Sequence, residues 1–265
     1  MAFTNSYRRP VALGILAEEE LLGPDPYDVN FVFPIHPESL ETDRIRLIPF
    51  IPKVHVKAAW EVLSVHHNEL FRFYPFVIPT QDQFLTFMER RVRRDPQNIS
   101  FAIIDKTRPD NAHPELGGGS LAGLISLFDT SAEQLVTEIA FVMIFPAFQR
   151  THVTSNAVGL LMKYCLDVPT ASPPGLGLRR VQWHCHSKNI KSKQLAERVG
   201  FRDEGILRWH WVLPKELGAD GHVHLRDGDP ASGKPGRDTI SLSVCWDDWE
   251  NGGREKVQQQ IDRRV

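Results

Sequence analysis

Three groups of residues in this 265-residue chain combine types and spacings that chemistry can use. The first is Glu138, the acid in the otherwise apolar run 137–145, which passes through 146–154 into an amphipathic helix. A carboxylate entering an apolar strand is expected to have a raised pKa and to take a proton from an ammonium, directly or through water. Its alternative role is that of a structural carboxylate at a strand end. The turn that follows is expected to deliver the chain onto a helix N-terminus, where free backbone N–H groups and the positive dipole end form an anion site suited to the pyrophosphate of a nucleotide-like cofactor. The second group is His184 and His186, which alternate with Val181, Trp183 and Cys185 and so share one face of a strand. The third is Asn189 and Ser192, at the start of another helix. They either cap that helix or present an amide and a hydroxyl to a ligand.

The elements that must position these groups follow from periodicity. The helix after residue 151 carries Ala157, Leu160, Leu161, Tyr164 and Cys165 on one stripe, with Asn156 and Lys163 expected on other faces. Upstream, 44–50 reads as a strand. A helix with Val56, Ala59, Trp60 and Leu63 inward follows, then a second with Phe84, Phe87, Met88 and Val92 inward and Arg90, Arg91, Arg93 and Arg94 as a solvated outer face. Strands are expected at 101–104, 121–128 and 137–145, the first two joined as an antiparallel hairpin across a polar loop. After the 169–177 breaker come a strand at 179–186 and a helix from Asn189 to a stop at Gly200. Two closing strands occupy 205–213 and 239–246, the latter with Ile240, Leu242, Val244 and Trp246 on one face. The Pro/Gly/His-rich segment 214–236 between them reads as a mobile cover or a disordered excursion. Residues 1–42, rich in proline, read as an arm that wraps the domain without a regular element, and 251–265 as a polar tail.

The resulting order, β-α-α-β-β-β-α-β-α-β-β, predicts an α/β fold with a central, mixed, mostly antiparallel twisted sheet of six to seven strands and helices on both faces. This order resembles the GCN5-related N-acetyltransferase (GNAT) superfamily, and more narrowly its RimJ/RimL-like branch. Glu138-Ile-Ala-Phe through Phe148-Gln149 is similar to that branch's acidic central strand and its approach to the pyrophosphate loop. Asn189-x-x-Ser192 through Ala196-Glu-Arg-Val-Gly-Phe201 is similar to the signature of its next helix. The stretch from Arg237 to Trp249 resembles its closing strand. The resemblance covers about residues 42–250.

Acetyl transfer from acetyl-coenzyme A to a primary amine, by direct transfer in a ternary complex, is what this resemblance implies. Such a reaction needs a neutral amine, a stabilised oxyanion and a proton for the departing thiolate. Glu138 would be the base and a backbone amide near Val142 or Met143 would hold the oxyanion. Ser192 would hold or protonate the thiolate, and Asn189 would fix the pantetheine arm. His184 and His186 would line the acceptor pocket. The pyrophosphate would sit on Gln149, Arg150, Thr151, His152, Val153 and Thr154. Here the sequence departs from the family, whose loop carries glycines while this one has none; a helical turn that needs no positive φ is expected to present the amides instead.

Other chemistries find less support. Net charge of −2 gives no electrostatic case for nucleic acid or an anionic membrane, and no apolar run is long enough to span a bilayer. Cys165, Cys185 and Cys245 lie in apolar contexts without metal spacing, which favours packing and a reducing, cytoplasmic setting. No Gly-x-Ser-x-Gly elbow is present, and Gly228–Lys234 is followed by Pro235 where a phosphate loop needs Ser or Thr. A zinc site from His184, His186, His222 and His224 is geometrically conceivable, but without fixed ligand spacing no metal is assigned. The expected partners are acetyl-coenzyme A and an amine, either a small molecule or a peptide N-terminus, for a monomer or homodimer. The rival reading is a non-catalytic coenzyme A-binding or scaffold protein of the same fold.

Overall fold

The computed structural model describes residues 3–8 and 14–263. Seven strands form one sheet in the order β1-β2-β3-β4-β5-β7-β6. They are β1 (Ile45–Pro49), β2 (Ile99–Asp105), β3 (Ser120–Ser131), β4 (Val136–Ile144), β5 (Arg180–His186), β6 (Arg202–Val212) and β7 (Gly236–Cys245). Every neighbouring pair is antiparallel except β4 and β5. That parallel pair holds only from Val136–Arg180 to Glu138–Gln182, after which the strands diverge.

Two apolar layers cover the sheet. On one face, Val181, Trp183, Cys185, Ile240, Leu242 and Val244 pack with Ile103, Ile125 and Ile139 under α5 (His152–Leu166) and α6 (Ile190–Val199). On the other face α2 (Pro52–Val65) and α4 (Gln81–Phe87) cover only β1–β4, through Ala59, Leu63, Phe84, Ala102, Leu124 and Phe128. Short α3 (His67–Leu70) follows α2. A Thr80 capping box starts α4, and a wide turn over Met88–Arg93 ends it.

The predicted element order holds, and several local expectations change. The acidic patch in the arm forms one helical turn, α1 (Glu18–Leu21), its carboxylates lying in the first turn where the helix dipole favours them. The rest of the arm has little regular structure and packs Phe31, Phe33 and Ile35 on the core; residues 9–13 lie outside the described set. The arginine run is not wholly solvated: Arg93 and Arg94 both pair with Glu89, whose side chain is 2% exposed. Asn156 is buried and donates to the Ile261 carbonyl. Trp246 does not share the closing-strand face; it opens the short α7 (Trp246–Asp248) and is 55% exposed.

The expected polar tail instead folds into α8 (Arg254–Asp262), which buries Val257 and Ile261 against α5. Gly159 permits that approach, since a Cβ there would lie 2.8 Å from Ile261. Among the described residues no helix is long and apolar enough to cross a membrane.

Candidate active site

The divergence of β4 and β5 opens a cleft directly beside Glu138. The period-2 pattern of both strands puts Glu138, Gln182, His184 and His186 on the face that carries α2 and α4, because their alternating neighbours Ile139, Val181, Trp183 and Cys185 belong to the opposite apolar layer. His184 Nδ1 lies 2.7 Å from Glu138 Oε2, so the ring donates to the carboxylate through that nitrogen. Burial disfavours the imidazolium, but the Glu138 hydrogen bond and charge outweigh it and raise the His184 pKa. On its other edge His184 Nε2 is 3.3 Å from Ser241 Oγ, which is 3.4 Å from Glu204 Oε2. Glu204 is held down to about 2 chiefly by its hydrogen bond with Arg180. The His210 ring lies 6.4 Å from that of His184, and burial followed by the His184 charge lowers its pKa.

Beyond Glu138, β4 carries a bulge. Ala140 pairs with Ser126 and Met143 with Leu124, so Phe141 and Val142 together face Ile125 alone. Phe141 takes φ +49° and stacks on Tyr74 at 5.2 Å. Gly123 makes the bulge possible, because a Cβ there would lie 2.1 Å from the Met143 carbonyl. Val142 is half-buried and Met143 is buried in the layer under α2 and α4. With β5 turned away, the β5-facing edge of this stretch has no strand partner.

The loop at the end of β4 meets the same cleft. A short turn, Pro146–Phe148, leads through Gln149 and Arg150 to Thr151, the N-cap of α5. Arg150 sits at φ +60°, so the glycine-free loop does use a left-handed residue, contrary to the expectation that none was needed. It thereby adopts the backbone shape that glycine supplies more readily. The Arg150 and Thr151 amides make no hydrogen bond among the described residues, and the Arg150 side chain is exposed. The Thr151 hydroxyl, by contrast, donates to the Phe148 carbonyl at 2.6 Å and accepts from the Val153 amide at 3.3 Å. His152 turns back to within 3.3 Å of buried Asp105, while Val153 is buried and Thr154 half-buried. The backbone of this loop, the Arg150 side chain and the half-buried Thr154 hydroxyl therefore offer themselves to an anion. They fit the pyrophosphate of coenzyme A, which needs donors and positive charge.

Asn189 and Ser192 lie on the other side of the sheet, at the start of α6. Asn189 Oδ1 accepts the Ser192 amide at 3.2 Å, and Ser192 Oγ accepts from Trp183 Nε1 at 3.0 Å. Both therefore serve the cap and the core. The four histidines considered for zinc are not brought together: His222 pairs with Asp238 at 2.9 Å and stacks on Trp209, away from the His184–Glu138 contact. Burial raises the pKa values of Cys165 and Cys185, which keeps both thiols protonated and inert.

The 214–236 segment is not a loose excursion. It contains a short helical turn, Lys215–Asp220, bridges to the start of β7 through His222 and Gly236, and is tied to the 71–76 segment by an Arg72–Asp220 ion pair at 3.0 Å. Under these two segments lies Arg237, which donates to the Phe73 carbonyl at 3.1 Å. Nothing in the sequence distinguishes Arg237, one arginine at a strand start, from a surface charge. Its burial is a tertiary property.

A family model described as acetyltransferase (GNAT) domain matches residues 44–202. No curated protein matches the chain in sequence. Among solved structures, a GCN5-related N-acetyltransferase from Brucella melitensis is 26% identical over 83% of this chain and 83% of its own, with a TM-score of 0.62. RimJ from Mycobacterium smegmatis, in complex with CoA-disulfide, is 14% identical over 81% of this chain and 88% of its own, with a TM-score of 0.57. Spermidine N-acetyltransferase from Vibrio cholerae, in complex with CoA and spermine, is 13% identical over 79% of this chain and 100% of its own, with a TM-score of 0.55. With the family model spanning more than half of its length, the chain belongs to the GNAT acetyltransferase family.

Proposed function

We propose that the protein transfers an acetyl group from acetyl-coenzyme A to a primary amine by direct attack in a ternary complex, within the RimJ/RimL-like branch. The Glu138–His184 contact at the mouth of the cleft carries this reading. His184 occupies Glu138 Oε2, and Oε1 has no hydrogen-bond partner among the described residues, so it is the atom that faces the amine proton. The pair accepts that proton as a unit, with His184 orienting the carboxylate and sharing the charge. Acetyl-coenzyme A supplies an activated thioester carbonyl. The unladdered edge around Val142 and Met143 offers N–H groups to the oxygen that gains charge. Within the Gln149–Thr154 loop, the Arg150 side chain and the free Arg150 and Thr151 amides hold the pyrophosphate. Asn189 is assigned to the pantetheine arm and Ser192 to the thiolate, from the α6 side of the sheet and in addition to their cap and core contacts. His186 belongs to the acceptor side. The CoA-disulfide complex of the RimJ neighbour supports the donor assignment.

The test is thioester turnover with a panel of amines, with acetyl-coenzyme A binding followed by calorimetry. Saturable binding with amine-dependent release of thiol supports transfer. Binding without turnover on any amine would establish the non-catalytic alternative.

A further inference from the structure

The half of this sheet face that lies beyond α2 and α4, under the 71–76 segment, holds a second polar group besides Glu138 and His184. His186 on β5 pairs in register with Thr239 on β7, and Arg237 lies two residues along β7 on the same face. All three are more than nine-tenths buried: 4% exposed for His186, 0% for Thr239 and 6% for Arg237. Each has a buried polar atom without a hydrogen-bond partner among the described residues, namely His186 Nε2, Thr239 Oγ1 and Arg237 Nε.

These atoms share one chemical character. Burial, then the Arg237 charge, lowers the His186 pKa to about 4, so the ring is neutral at physiological pH. His186 Nδ1 accepts the Lys188 amide at 3.0 Å, which places the ring proton on Nε2 as a donor. Arg237 Nε is always a donor, and the Thr239 hydroxyl is free to be one. Arg237 has no ion-pair partner among the described residues; Glu138 acts on it only through its field. A buried guanidinium without a counter-ion is costly, and three neighbouring donors without an acceptor compound that cost.

Resting on the acetyl-transfer reading above, we propose that Arg237, His186 and Thr239 form a carboxylate subsite for the acceptor, which is therefore an ω-amino acid. Two residues of strand, roughly 7 Å, separate the His186–Thr239 pair from the His184–Ser241 pair beside Glu138. An acceptor with its carboxylate several bonds from its amine spans that distance, its nitrogen at Glu138 and its carboxylate under the 71–76 segment. A second ammonium would instead meet the guanidinium, so diamines and polyamines are poor acceptors.

The test compares 6-aminohexanoate with hexylamine and 1,6-diaminohexane, which differ only at the far end. The expected result is a kcat/KM at least tenfold higher for the amino acid, through KM, and collapse of that ratio toward one in Arg237→Gln. Should that variant fail to fold, Thr239→Val, which exchanges one hydroxyl for a methyl, is expected to lower the ratio severalfold. Parity among the three amines in the wild type overturns the subsite. So does an equal loss on all three amines in Arg237→Gln, which would make Arg237 merely the anchor of Phe73. If the wild type acetylates none of them, the transfer reading is judged separately, by the wider amine panel. Calorimetric titration of 6-aminohexanoate then decides the subsite, which stands if wild-type binding is lost in Arg237→Gln and falls if the wild type does not bind.

Discussion

One face of one sheet is treated in two ways in this molecule. Over β1–β4 it is closed by α2 and α4, and the buried charge nearby, Glu89, is fully answered: Arg93 and Arg94 both reach it, and their hydrogen bonds outweigh the burial that would otherwise raise its pKa. Over β5–β7 the same face carries Arg180, Gln182, His184 and His186 opposite Cys245, Ser243, Ser241 and Thr239, and its buried charge, Arg237, meets no carboxylate at ion-pair distance among the described residues. The first half is built for stability and the second for a ligand. Burial costs both charges, but only in the first does the protein itself offset that cost.

The strongest test of this division is to replace the acid at the boundary. Glu138→Gln is expected to lower turnover by about 10²–10⁴-fold while leaving acetyl-coenzyme A affinity largely intact, since only proton acceptance is lost. A near-normal rate at saturating amine would return Glu138 to a structural role.

The closed half should answer in stability instead. In Glu89→Gln, Arg93 loses its carboxylate, whereas Arg94 keeps Glu20 at 2.6 Å and is 42% exposed, so a loss of about 2 kcal/mol is expected, below the roughly 3–5 kcal/mol of a fully buried pair. Denaturant midpoints measure it, and a change under 0.5 kcal/mol, the size of an ordinary surface substitution, would erase the contrast between the halves.

At the loop, Arg150→Glu is expected to weaken acetyl-coenzyme A binding by about 1–3 kcal/mol, read by calorimetry. Arg150→Gly sharpens the point: it removes the charge but relieves the cost of φ +60°, so it should bind the cofactor more weakly while melting slightly higher. Unchanged affinity in both variants would remove Arg150 from the site.

The smallest effect is in pH. Because the folded pKa of His184 is raised above its usual 6.5, its contribution to stability is full below about pH 6.5 and is lost as pH rises through the folded value. Over that same window the pair becomes able to accept a proton. Activity should therefore rise while the melting temperature falls slightly, and Glu138→Gln should move the melting inflection to lower pH. A melting curve that is flat across the window would contradict the coupling.

Much of this was legible in the sequence. Period-2 alternation in 179–186 placed His184 and His186 on one face, and the strand-loop-helix order of 137–166 was readable, because local periodicity and capping are encoded locally. What the sequence left open concerned contacts between distant segments. The pairing of Glu138 with His184, 46 residues on, depends on a parallel register that no local pattern specifies. The left-handed Arg150 was hidden because a non-glycine residue gives no sign of positive φ. The final helix looked polar because two buried residues, Val257 and Ile261, suffice to dock it where Gly159 removes a side chain. Arg237 reads as one more charge until the fold buries it. Burial and the presence or absence of a counter-ion are properties of the packed chain, and they are what separates a structural charge from one set aside for a ligand.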